Sequence, residues 1–117
     1  MAIRQLVREW AVSAGFGLVD QTKIVTAASE LARNVLQHGG GGECEMQALN
    51  SDERKGLRLV FADQGPGIAD IALAMKDGYT SGGGLGLGLG GAKRLSNEFE
   101  IESTVGAGTK VAITRWK

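Results

Sequence analysis

Glu30 and Asn34 stand four residues apart in an apolar-periodic stretch. On a helix they share a face, about 6 Å apart along the axis. They flank Leu31, with His38 one turn further on, so a carboxylate and an amide can point together into a cleft. The Asn34 side-chain oxygen is a hard ligand of the kind Mg2+ takes beside waters and phosphate oxygens. A glutamate next to it can act as general base on an attacking hydroxyl. Taken alone, the pair reads as a solvated helix surface, where such residues mostly sit.

Asp63 says more. It follows the apolar run Leu57 to Ala62, which reads as a buried strand, and it opens Asp63-Gln-Gly-Pro-Gly67. Gly65 and Gly67 permit close backbone approach, and Pro66 stiffens the bend between them. A carboxylate only accepts hydrogen bonds, and the N6 amino group of adenine donates them. Guanine presents an oxygen at that place, and a site built around one polar group rejects an analogue lacking it. A strand-end aspartate that caps a turn is the alternative.

Ser81, Gly82, Gly83, Gly84, Leu85, Gly86, Leu87 and Gly88 open a run of glycines that continues to Gly91. Successive backbone amides in such a loop can cradle phosphates, and a helix starting at its end adds a positive dipole. The interleaved leucines can pack the loop down on closing, whereas flexible linkers are Ser-rich and polar. Gly86 to Gly91 satisfies G-x-G-x-x-G, but no strand leads into it and no parallel βαβ pattern surrounds it, so a Rossmann site is set aside. The P-loop signature is absent, as are the strand lysine, H-R-D and D-F-G of eukaryotic-type kinases. Gly106-Ala107-Gly108-Thr109 reads as a hairpin turn. In the company of the other pieces, Thr109 can hydrogen-bond the adenine edge or the Asp63 carboxylate. His38 and Cys44 are assigned to packing or helix-end duty. Lys93 and Arg94 fit phosphate contact and surface solvation equally, and Trp10 and Trp116 fill core or near-surface space.

These residues need a scaffold of 117 residues to hold them, enough for one domain over 1–117 with one core. The formal net charge is zero, which leaves no electrostatic footprint for nucleic acid or an anionic membrane. One cysteine permits no internal disulfide. No apolar stretch approaches the ~20 residues of a membrane span, and the N-terminus does not read as a signal peptide, so a cytoplasmic location is expected. Glycine is the outlier, at 19 residues against a usual share of ~7%, and it gathers at 39–42, 65–67, 82–91 and 106–108. Clustering of this kind points to loops that approach something closely.

Helical spacing of Ile3, Leu6, Val7, Trp10 and Ala11 predicts a first helix, ended by Gly15 and Gly17. Asp20 is expected to cap a second helix reaching about Gln37, with Ile24, Ala27, Ala28, Leu31 and Val35 buried. Residues 43–50 alternate, with Cys44, Met46 and Ala48 on one face, and pair with 57–62 across a polar turn. A short helix over 70–75, a glycine-rich loop over 78–91, a helix from Ala92 to about Leu95, a strand around Phe99 and Ile101, and a last strand over 109–116 complete the order. Consecutive strands joined by tight turns imply an α+β fold with antiparallel pairs and helices on one face.

In this order the pieces resemble the GHKL (Bergerat) ATPase and kinase superfamily. Glu30-Leu-Ala-Arg-Asn34 is similar to its N box, Asp63 to Gly67 to its first glycine box, Gly82 to Gly91 to its lid, and Gly106 to Thr109 to its last box. Ser29 to Asn34, Asp63 to Ile68 and Gly91-Ala-Lys-Arg-Leu95 narrow the likeness to the RsbT-type switch serine/threonine kinases, near relatives of the anti-sigma factor kinases. The resemblance implies a two-layer α/β sandwich with a mostly antiparallel or mixed sheet. It implies an ATP-Mg2+ site, with ADP as product, in which Asp63 meets adenine, Asn34 the metal, and Glu30 is the base. The acceptor it implies is a serine or threonine on a STAS-domain partner, with a sigma-factor or phosphatase regulator as further partners. The alternative is an ATP-binding anti-sigma factor or partner-switch module with little turnover. A histidine-kinase catalytic half is weaker, because no dimerisation helix carrying a phosphoacceptor histidine precedes the domain. Family members usually place a strand before the first helix, so an edge strand is expected to be missing here. The glycine-rich lid is expected to be unusually mobile.

Overall fold

The computed structural model describes residues 2–38, 40–51, 54–68 and 88–117. Two helices, α1 (Ala2–Ser13) and α2 (Leu18–His38), precede the strands β1 (Gly42–Asn50) and β2 (Lys55–Asp63). A helix α3 (Gly88–Arg94) and the strands β3 (Glu98–Thr104) and β4 (Gly108–Trp116) follow. The expected helix over 70–75 and most of the glycine loop lie outside the described residues. The sheet runs β1-β2-β4-β3, and every described pairing is antiparallel, with no parallel pair to make it mixed.

Strand periodicity explains the layering. Leu57, Leu59 and Phe61 of β2 and Val111 and Ile113 of β4 alternate onto one face and are buried. They meet Val7 and Ala11 of α1, Ile24, Ala27, Ala28, Leu31 and Val35 of α2, and Leu89 and Ala92 of α3 in a single cluster. Fully burying each large side chain contributes about 1.5–3 kcal/mol. The core therefore lies between the sheet and the helices, and α2 supplies most of the facing stripe, with the predicted residues.

Two expectations from the sequence are corrected. Asp20 does not cap α2. The helix starts at Leu18, with the Gln21 amide donating to the Gly17 carbonyl. Asp20 sits in the first turn and accepts from Arg115 Nη2 at 2.7 Å. The second correction concerns 88–91, which are helical rather than loop. Glycine is a poor helix former, but Leu89 and Ala92 bury in the core, and Gly90 and Gly91 are buried with them. Tertiary packing outweighs propensity there. Cys44, Met46 and Ala48 share one face of β1, opposite Phe61, Leu59 and Leu57 of β2, with Ala48 exposed towards the strand end. Arg115 locks this end of the molecule, because its Nη1 also donates to the Leu95 carbonyl at 2.8 Å, just beyond α3.

Cys44 packs against the core, partly buried. Burial, with a smaller contribution from the charge of Glu45, pushes its thiol up to about 11 from an ordinary 9.0. The folded state thus keeps the proton longer than the unfolded chain. That preference is fully present below pH 9 and is lost as pH rises through 11. Thiolate absorbance in the folded protein is expected to rise with a midpoint near 11, falling towards 9 in denaturant. A folded midpoint at 9 contradicts the burial.

Candidate functional site

The site assembles at the end of the sheet where β2 finishes. Asp63, the last residue of β2, pairs with Gly42 of β1 on one side and Thr109 of β4 on the other, and Thr109 pairs with Ser103 of β3. Strand parity places Asp63, Thr109 and Ser103 in one row on the helix-facing side, continuing the Phe61, Val111 and Ile101 columns. Asp63 is a strand residue rather than the start of the following turn, and it is buried.

Backbone amides hold its carboxylate. Oδ1 accepts from Gly65 N–H at 2.9 Å and from Thr109 N–H at 3.3 Å. Among the described residues Oδ2 takes no hydrogen bond. With Oδ1 held by two amides and Oδ2 taking no hydrogen bond from the described residues, the carboxylate has the chemistry to receive a donor from a ligand.

The segment after Asp63 crosses onto the β3–β4 hairpin. Gly106 N–H donates to the Pro66 carbonyl at 2.7 Å, and Ile68 N–H donates to Ser103 Oγ at 2.7 Å. Gly67, at φ +80°, lies so close that a Cβ there would strike the Thr104 carbonyl oxygen. Gly108, at φ +98°, would likewise strike the Asp63 carbonyl oxygen. Both positions require glycine for conformation and for space. In the described structure the close approach at Gly67 is to the hairpin, and it gives Asp63 a rigid frame.

Thr109 divides its two groups differently from the expected contact of its side chain with Asp63. Its backbone amide binds Asp63, while its hydroxyl lies 2.8 Å from Ser103 Oγ. Ser103 was missed in the sequence. The available signal was a polar residue at the inward position of a strand whose other inward residues are Phe99 and Ile101.

Glu30 and Asn34 lie on the shoulder of the buried stripe of α2, both partly buried. The Glu30 side chain is only 11% exposed, and its Oε1 lies 3.4 Å from Arg33 Nη1. The last turns of α2 reach the same end of the sheet, since Val35 Cγ1 would be 3.0 Å from a Cβ at Gly42, the β1 partner of Asp63. Gly88 opens α3, which packs against the core through Leu89 and Ala92. Ser81, Gly82, Gly83, Gly84, Leu85, Gly86 and Leu87 lie outside the described residues.

A separate cavity of about 290 Å³, lined by Trp10, Ala14, Leu49, Asn50, Lys55 and others, adjoins the opposite end of β2. Eight residue steps put it about 26 Å from Asp63 along the strand. Among the described residues no group of three or more His, Cys, Asp or Glu side chains could hold a metal. A Mg2+ held by Asn34 and phosphate oxygens needs no such group. No described helix is long and apolar enough to cross a membrane.

The histidine kinase-like ATPase domain matches residues 1–115, and the chain belongs to that family. Within it the chain is of the RsbT-type serine/threonine kinases of the GHKL superfamily. It is 47% identical over 116 residues to serine/threonine-protein kinase RsbT of Bacillus subtilis, covering 99% of this chain and 87% of the relative. It is 29% identical over 119 residues to the anti-sigma F factor of Thermoanaerobacter sp. strain X514, covering 97% and 82%. The solved structure of the mycobacterial sensor histidine kinase MprB matches with a TM-score of 0.49 at 23% identity, over 79% of this chain and 71% of that one. ATP is the nucleotide of this family.

Proposed function

We propose that the chain, acting as one domain over 1–117, transfers the γ-phosphoryl group of ATP to a serine or threonine of a STAS-domain protein in the bacterial cytoplasm. The observation that carries this reading is the Asp63 carboxylate, tied by two amides through Oδ1 and left with Oδ2 for a donor. Asp63 then holds adenine, with Gly65, Gly67 and Thr109 framing it. Asn34 supplies a protein oxygen to Mg2+, and Ser81 to Gly88 enclose the phosphates with backbone amides. Glu30 takes the proton of the attacking hydroxyl. Mg2+, when bound, neutralises charge on the transferring phosphoryl group, and positioning supplies most of the rate.

Phosphate on the partner adds about −1.5 to −2 charges to a docking surface and loosens the pair. This is how a kinase of this type acts as a switch, with sigma-factor or phosphatase regulators as further partners. Anti-sigma factors among the relatives favour a second reading, a nucleotide-shaped binding module with little turnover. Incubation with γ-labelled ATP, Mg2+ and STAS-domain proteins separates the two. Label on a serine or threonine of one STAS protein is the expected result. Stable complex formation without label favours the binding module.

A further inference from the structure

Ser103 and Thr109 place two hydroxyls side by side in the row that contains Asp63. We infer that Ser103 is a positioning residue for base recognition, because its hydroxyl sets whether Thr109 offers a proton or a lone pair beside Asp63. This rests on the reading of that row as the adenine site.

Two protons are shared among few acceptors. The Ile68 amide, at 2.7 Å, already fills one lone pair of Ser103 Oγ. Among the described residues, the remaining hydrogen-bond neighbours of Ser103 Oγ are Thr109 Oγ1 at 2.8 Å and the Gly108 carbonyl at 3.3 Å. A carbonyl only accepts, so two arrangements are possible. In the first, Ser103 donates to Thr109 over the shorter contact, and the Thr109 proton is released for a ligand. In the second, Thr109 donates to Ser103, Ser103 donates to Gly108 over the longer contact, and Thr109 offers only lone pairs.

The base decides between them. Adenine presents a donor, N6, next to an acceptor, N1. Asp63 Oδ2 as acceptor and the Thr109 hydroxyl as donor complement both. Guanine presents the reverse at both atoms, so it meets an unpaired carboxylate and needs the longer-contact arrangement. Without Ser103 the Thr109 hydroxyl rotates freely and satisfies either edge. Ser103 therefore gives direction to the second half of the recognition pattern. The Ile68 amide bond fixes Ser103 itself and links this pattern to the end of the Asp63–Gly67 segment.

The test is calorimetric titration of ATP and GTP into the wild type, Ser103→Ala, Thr109→Val and the double variant, with thermal midpoints for all four. Ser103→Ala is expected to cut the ratio of ATP to GTP affinity about tenfold, through weaker ATP binding, tighter GTP binding or both. In the Thr109→Val background the same substitution is expected to change ATP less than about twofold, because the residue it acts through is gone. Ser103→Thr, which restores a hydroxyl, is expected to recover the preference. If Ser103→Ala fails to fold, reduced Ser103→Cys keeps the size with a weak donor and is expected to show the same loss of preference. Equal weakening of both nucleotides, or full additivity in the double variant, overturns the inference. Asp63→Asn serves as the control on the site. Loss of ATP preference there with none in Ser103→Ala sinks the inference and leaves the site standing. A wild type without ATP preference removes both.

Discussion

Glu30→Gln is expected to bind ATP within about twofold of the wild type and to lose about 10²–10⁴ in phosphotransfer rate. The substitution keeps the size and planarity of the side chain and removes its ability to take a proton. Structural damage should be small. Glu30 is 11% exposed and contacts Arg33 through Oε1, and a glutamine oxygen there still accepts from a guanidinium. Binding is spared because the base acts on the hydroxyl of the incoming protein, while the nucleotide is held elsewhere. A fall in rate with nucleotide affinity intact is the signature of a group used in the transition state. Single-turnover transfer with saturating ATP reads it directly. Transfer within about threefold of the wild type removes Glu30 from the chemistry and leaves it a structural role on α2, in contact with Arg33.

The second large effect is expected at Asp63→Asn. An asparagine oxygen can accept from the Gly65 and Thr109 amides as Oδ1 does, so the turn and the register keep their bonds. Its NH2 group then takes the place of Oδ2 and points a donor where adenine also donates. ATP should weaken by about 10²-fold, in line with the roughly 1–3 kcal/mol cost of an unmade buried hydrogen bond. GTP, whose O6 accepts, should gain relative to ATP. Titration calorimetry with both nucleotides checks the reversal, and a thermal midpoint near that of the wild type shows that the fold is retained. Equal loss of both nucleotides would mean that Asp63 supports the turn without reading the base.

Much of this site was legible in residue types and spacing. The continuous apolar run ending in Asp63 gave away a strand with a carboxylate at its tip. The 3.6-residue stripe from Ile24 to Val35 placed Glu30 and Asn34 on the shoulder of a core-facing helix. What could not be read was long-range. Thr109 reaches Asp63 from 46 residues away, and Arg115 reaches Asp20 from 95. Without the second contact Asp20 looks like an ordinary cap. The division of Thr109 between a backbone bond to Asp63 and a hydroxyl bond to Ser103 depends on the β2-β4-β3 order, which local pattern does not encode. Gly88 to Gly91 misled because glycine count argues for loop, whereas two apolar neighbours find a core and the small residues let the helix pack closely.

The central claim is that the end of β2 holds the base of ATP for a phosphoryl transfer. A crystal structure with Mg2+ and a non-hydrolysable ATP analogue tests it most directly. The expected result is adenine N6 about 3 Å from Asp63 Oδ2, a hydrogen-bonding distance. The γ-phosphate should lie on the Glu30–Asn34 side of the base. Adenine seated instead in the cavity beside Trp10 and Lys55, or anywhere that leaves Asp63 Oδ2 facing water, contradicts the account.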